Sequence, residues 1–137
     1  MTKLNEEQKR QMLGLAPMKA DAIVNFTPDA YDGVDEEVRP VFRLKQYNKT
    51  QITSLKLIFQ KDAQLQAKKK KTVEQIEALD LLYMKLLFEV LDGFSTLYDP
   101  FSGEEIVDLK TEEQFLSLPK RILVKILEHS FIISGIK

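Results

Sequence analysis

The chain has 137 residues and no cysteine, and its 20 basic and 21 acidic residues leave a formal charge of −1. The missing cysteines exclude disulfides, thiolate nucleophiles and Cys-ligated zinc, and a charge near zero gives no global field toward nucleic acid or an anionic membrane. With 44% hydrophobic and 30% charged residues, the composition is that of one globular domain, 1–137, which buries roughly two thirds of its unfolded surface.

No apolar run approaches the roughly 18–20 residues of a membrane span. The first ten residues are polar and lack the apolar core of a signal peptide. The expectation is a chain that stays in the compartment where it is made, with no membrane partner.

Asn5 with Gln8 three residues on has the spacing of a capping box. It predicts a short helix over about 6–13, stopped by Gly14 and Pro17. Its apolar content is thin, so residues 1–20 read as a mobile arm. Residues 22–26 are short and β-branched, and Pro28, Asp29, Asp32 and Gly33 then mark a loop. From Pro40 to Lys45 apolar and polar residues alternate, with Phe42 and Leu44 on one face, as a half-buried strand requires. The two strands can pair as a small antiparallel ribbon.

Asn48 and Gln51 open a helix of about 49–68 with apolar Ile52, Leu55, Leu57, Ile58 and Phe59. Thr72 and Gln75 open the longest helix, about 73–91. Its positions Ile76, Leu79, Leu82, Tyr83, Leu86, Leu87 and Val90 recur at three- and four-residue steps. Leu81, Met84 and Phe88 lie off that stripe, so this helix should be central and touched on more than one side. Asp92-Gly93-Phe94 reads as its end, and Glu105-Ile106-Val107 as a brief extended stretch. Thr111 and Gln114 form a further box before a short helix through Leu118. Pro119 suits a first turn, and Ile122, Leu123, Ile126, Leu127 and Phe131 make a last apolar stripe ended by Gly135. The fold class is therefore mainly α: a compact domain of about four to five helices with a short N-terminal β-ribbon.

The inventory of reactive groups is thin. His129 is the one histidine, near the end of an apolar helix, where an imidazole favours the dipole's negative end. The carboxylate pairs Glu6-Glu7, Glu36-Glu37, Glu104-Glu105 and Glu112-Glu113 are sequence neighbours that point different ways along a helix or strand. Residues 29–37 do not have the ligand spacing of an EF-hand. The five glycines stand singly, with no phosphate-binding loop or nucleophile elbow. No catalytic residue, cofactor or metal is expected. Lys68–Lys71 is the one basic run; it reads as a solvated helix end more than a nucleic-acid contact, because no aromatic is interleaved with it for base stacking. Phe94, Tyr98 and Phe101 stand out, being aromatic where connections are usually polar. They are the candidate partner-binding residues, as a lid over the core or as a binding edge.

From Pro40 onward the order of parts resembles the tail assembly chaperones of long-tailed bacteriophages. The match runs through the strand at Phe42–Lys45, the capped helix from Asn48, and the Val90, Gly93, Phe94 step ending a long apolar helix. It continues through the acidic turn at Asp99 and Gly103, then Ile106, the capped helix from Thr111 to Leu118 and the last helix to Ile133. Family members more often carry Trp where Phe94 stands, and the Asp99-Pro100-Phe101 insert departs from the pattern. The resemblance implies a non-enzymatic protein of the host cytoplasm, absent from the mature virion. It implies binding to the tape-measure protein, recruitment of tail-tube subunits and self-association. The competing readings are a virion head–tail or tail structural subunit, and a small nucleic-acid-associated regulator using Lys68–Lys71.

Overall fold

The structure, a computed structural model, describes residues 3–19, 21–106 and 111–136. Among them are five helices and one three-stranded antiparallel sheet. In chain order these are α1 (Glu6–Met12), β1 (Val24–Phe26), β2 (Val41–Leu44), α2 (Lys49–Gln66), α3 (Val73–Val90), β3 (Leu91–Ser95), α4 (Glu112–Leu116) and α5 (Lys120–Ile133). The fold remains mainly helical, but the expected ribbon is two thirds of a sheet. Its third strand comes from the middle of the chain, where the sequence reads as a helix end followed by a turn.

Local chemistry sets the helix starts. Asn5, Asn48, Thr72 and Thr111 each accept from the backbone N–H three residues on, and the Gln at that position returns a bond to the cap backbone. Each box thus satisfies two of the donors a helix start leaves orphaned. Pro119 caps α5 without a side-chain bond. It stands just outside the first turn in which the sequence suggests it.

β2 is the central strand. Its Phe42 and Leu44 are fully buried while Val41 and Arg43 are half-buried, the alternation of a sheet with one face on a core. On one side β1 pairs with it in the register Val24 to Leu44 and Phe26 to Phe42. On the other, β3 pairs Leu91 with Leu44 and Phe94 with Phe42. Those two pairs span two steps on β2 and three on β3, so β3 carries a one-residue bulge at Asp92-Gly93.

That bulge explains why the strand is hard to read from sequence. Asp-Gly normally signals a turn. Here Gly93 takes φ +104°, and Arg43 lies across it, with its Nε 3.3 Å from the Asp92 carbonyl and its Nη2 3.2 Å from the Phe94 carbonyl. A Cβ at Gly93 would come within 2.6 Å of Arg43 Nη2. Asp92 meets Lys45 at 3.5 Å on the same edge.

One core joins the sheet to the helices. Leu55 and Ile58 of α2, Leu86, Leu87 and Val90 of α3, Phe115 of α4, and Ile122 and Ile126 of α5 surround Phe42 and Leu44. At fully buried positions such as Leu55 or Leu87, truncation to Ala typically costs about 2–5 kcal/mol. Tyr47 carries the polar bond of this core: its hydroxyl lies 2.9 Å from Ser130 Oγ, and its backbone N–H donates to Ser134 Oγ at 3.0 Å. Phe59, Tyr83 and Phe131 form an aromatic cluster where α2, α3 and α5 meet.

The helical stripes are not buried along their whole length. Ile76 of α3 is 42% exposed and Leu57 of α2 is 55% exposed, and Leu81, off the α3 stripe, is exposed as well. From Gln60 to Ala78, only Leu65 is buried. The α2–α3 hairpin thus extends past the layer that covers its base. α5 enters near its middle, where Lys120 meets Asp80 at 3.0 Å.

The described part of the N-terminal arm meets the body around Leu13 and Gly14 and again at Met18, whose carbonyl accepts from Gln46 Nε2 at 3.4 Å; Met1, Thr2 and Ala20 fall outside the described residues. α1 buries nothing, but Leu13 packs on the core and Gly14 sits on the end of α5. Gly14 has φ +77°, and a Cβ there would lie 2.1 Å from the Ile132 carbonyl oxygen. Backbone meets backbone, so no rotamer change relieves the clash. Gly14→Ala is expected to cost about 1–3 kcal/mol, read as a lower denaturant midpoint. Gly33→Ala, where a Cβ meets nothing within 4 Å, is expected to leave the midpoint nearly unchanged.

Candidate functional site

β3 ends at Ser95, and the next residue is Thr96. This residue takes φ 56°, the left-handed region that β-branched residues avoid, and its hydroxyl reaches the carbonyls of Arg39 and Ser95. The chain is thereby turned out of the sheet and into a small hairpin over Leu97–Ile106. Ile106 N–H donates to Leu97 O at 2.7 Å, Asp99 N–H to Glu104 O at 2.9 Å, and Gly103 N–H to Asp99 O at 2.8 Å. Tyr98 and Glu105 face each other across the bridge. The brief extended stretch at Glu105-Ile106 is its returning arm; Val107 lies outside the described residues.

Side chains close the tip. Asp99 Oδ1 accepts from Phe101 N–H at 2.8 Å, the turn geometry favoured by an Asp two residues earlier. Ser102 Oγ accepts from Glu104 N–H at 3.2 Å. Pro100 restricts the approach to Phe101. Leu97 anchors the base and is 8% exposed.

The three singled-out aromatics do not share one environment. Phe94 is not in a loop: it is a strand residue paired with Phe42, on the face that packs against the core. Tyr98 is 39% exposed at the hairpin's edge, and Phe101 is 98% exposed at its tip. A lid over the core describes Phe94 alone. Truncating Phe94 removes packing, so it cannot isolate a binding role, whereas Phe101 contributes almost no burial.

A second surface feature was not legible in the sequence. Between α2 and α3 lies an open cleft of about 330 Å³. Leu65, Ala78, Leu79 and Leu82 line it together with Lys61, Gln64, Lys68 and Gln75. Leu79 and Leu82 read as ordinary core positions, and nothing in their spacing says that the groove they form stays open. Lys68–Lys71 lies exposed at the turn of this hairpin, and Lys71 Nζ donates to Gln66 Oε1 at 2.7 Å.

The remaining polar candidates are dispersed. Among the described residues no group of three or more His, Asp or Glu is placed to hold a metal ion. His129 stacks on Phe26, with ring centroids 4.0 Å apart and planes 9° from parallel. Burial lowers its pKa, and Arg10 lowers it further. Tyr83 donates to Asp62 Oδ2 at 3.0 Å, and burial followed by that carboxylate raises its pKa. Burial also pushes the Tyr47 hydroxyl up to about 12, against the lowering effect of Ser130. Both tyrosines tie elements of the core together, which accounts for their shifts without any chemistry at the surface.

No family model, curated protein or solved structure matches this chain. No helix among the described residues is long and apolar enough to cross a membrane.

Two pH dependences follow from these environments. The folded state favours neutral His129, so its contribution to stability is full above the unfolded value of about 6.5 and is lost as pH falls through the lower folded value. The histidine is unique, so its proton NMR titration should show one midpoint below about 6.5 in the folded protein; a midpoint above that would contradict desolvation by Phe26. Neutral Tyr47 is favoured likewise, so its contribution is full below about pH 10 and declines toward pH 12, by roughly 2–3 kcal/mol. Tyr47→Phe should flatten that alkaline decline in denaturant titrations.

Proposed function

We propose that this protein is a non-enzymatic assembly chaperone that holds a long helical client, as the phage tail assembly chaperones it resembles do. The observation that carries this reading is Phe101, 98% exposed on a hairpin closed by its own hydrogen bonds. An aromatic held out in this way contributes large contact area at low ordering cost, the property that enriches aromatics in binding hot spots. Tyr98 at the hairpin edge adds an amphipathic neighbour. A tape-measure protein is a long helix-rich chain with apolar seams, and capturing such a seam requires exposed apolar anchors and no reactive group. In this reading the protein acts in the host cytoplasm, recruits tail-tube subunits to the tape-measure protein, and is left out of the finished particle.

The test is co-purification with a co-expressed tape-measure protein. The double variant Tyr98→Ala, Phe101→Ala should reduce retention by about tenfold or more while unfolding as the wild type does. Unchanged retention would remove the hairpin from the client interface. Mass spectrometry of washed particles supplies the second reading: absence agrees with a chaperone, and stoichiometric presence would make the protein a tail or head–tail structural subunit.

A further inference from the structure

The hairpin tip and the α2–α3 cleft are complementary surfaces on one chain. Phe101 is an exposed apolar knob, and the charged residues between Leu97 and Ile106 are all acidic: Asp99, Glu104 and Glu105. The cleft is lined by the aliphatic Leu65, Ala78, Leu79 and Leu82 and by Gln64 and Gln75, and its charged lining residues, Lys61 and Lys68, are both basic. Its volume of about 330 Å³ accommodates one aromatic side chain. The knob does not fill the cleft of its own chain, because Phe101 is 98% exposed.

We propose that the hairpin of one copy seats Phe101 in the α2–α3 cleft of a second copy. Insertion places the ring against the aliphatic part of the cleft, between Gln64 and Gln75, while the acidic flank meets Lys61 and Lys68, so apolar and charge complementarity act together. The chain's formal charge of −1 leaves little repulsion between copies. The hairpin's backbone bonds already hold the tip in place, which limits the ordering cost of docking. Because knob and cleft are different patches, the contact is head-to-tail and leaves each pair with one free knob and one free cleft. Such an interface propagates until a ring closes or the chain ends. Self-association also occupies Phe101, so it competes with any client that uses the same side chain.

Sedimentation velocity of the full chain over a concentration series tests this. The wild type should sediment faster as concentration rises, and less so at high salt, which screens the charged flank. Phe101→Ala and Ala78→Glu should each weaken association by about tenfold or more. Both sites are exposed, and matching thermal unfolding curves establish that both variants fold. An equimolar mixture of the two is the decisive arm. The first keeps an intact cleft and the second an intact hairpin, so the mixture should form a heterodimer and grow no further. A wild type that stays monomeric at high micromolar concentration, a variant that associates as the wild type does, or a mixture that forms no heterodimer would each overturn the proposal. Client capture is scored separately: Ala78→Glu loses self-association yet keeps Phe101 free, so failure of the client reading leaves the sedimentation result standing.

Discussion

The architecture depends on how α3 ends. Val90 is the last helical residue, and Leu91 enters extended backbone at once, with no loop between helix and strand. The Val90 carbonyl accepts from Lys45 N–H at 2.9 Å, which ties the helix end to the end of β2. A helix C-terminus leaves carbonyls that need partners, and a strand edge supplies donors. That one junction sets the register of β3 on β2. The register in turn brings Phe94 opposite Phe42, puts the bulge under Arg43, and fixes where the chain leaves the sheet. The hairpin that carries Phe101 is thus aimed by the core, although it contributes little to it.

What was legible in the sequence was what is decided locally. A capping box is specified by two residues three apart, and all four formed with the partners the spacing names. The Phe42, Leu44 alternation is equally local, since a strand's side-chain period is two. β3 was not legible because Asp92-Gly93 has two uses. Without a neighbour the pair favours a turn, but beside β2 it becomes a bulge whose Gly93 conformation makes room for Arg43. Nothing within residues 91–95 distinguishes these outcomes; the deciding atoms lie on a strand about fifty residues earlier.

The helical stripes were legible over most of their length and departed from expectation only at Leu57 and Ile76. Periodicity records which side of a helix is apolar, but not how far along that side a partner extends. Lys120 meets Asp80 near the middle of α3, and the N-terminal turns of α3 reach past that point with Val73 at 66% exposure. Leu79 is buried and Ile76 is not, although they are one turn apart on the same stripe. The end of the covering layer, not the helix's own sequence, decides which apolar residues line a core and which line a cleft.

The candidate site shows the same division between local and tertiary control. Residue type singled out Phe94, Tyr98 and Phe101 together, yet the backbone separates their roles. Phe94 follows the bulge and is drawn into the core by its pairing with Phe42. Phe101 lies beyond Thr96, whose left-handed conformation takes the chain off the sheet, and it is fixed by Asp99 and the short hairpin ladder. Those bonds stabilise the hairpin without burying the ring, so the folding energy is nearly indifferent to the side chain at position 101. The fold therefore leaves a large apolar group in water at the hairpin tip, where a polar residue would satisfy the backbone as well.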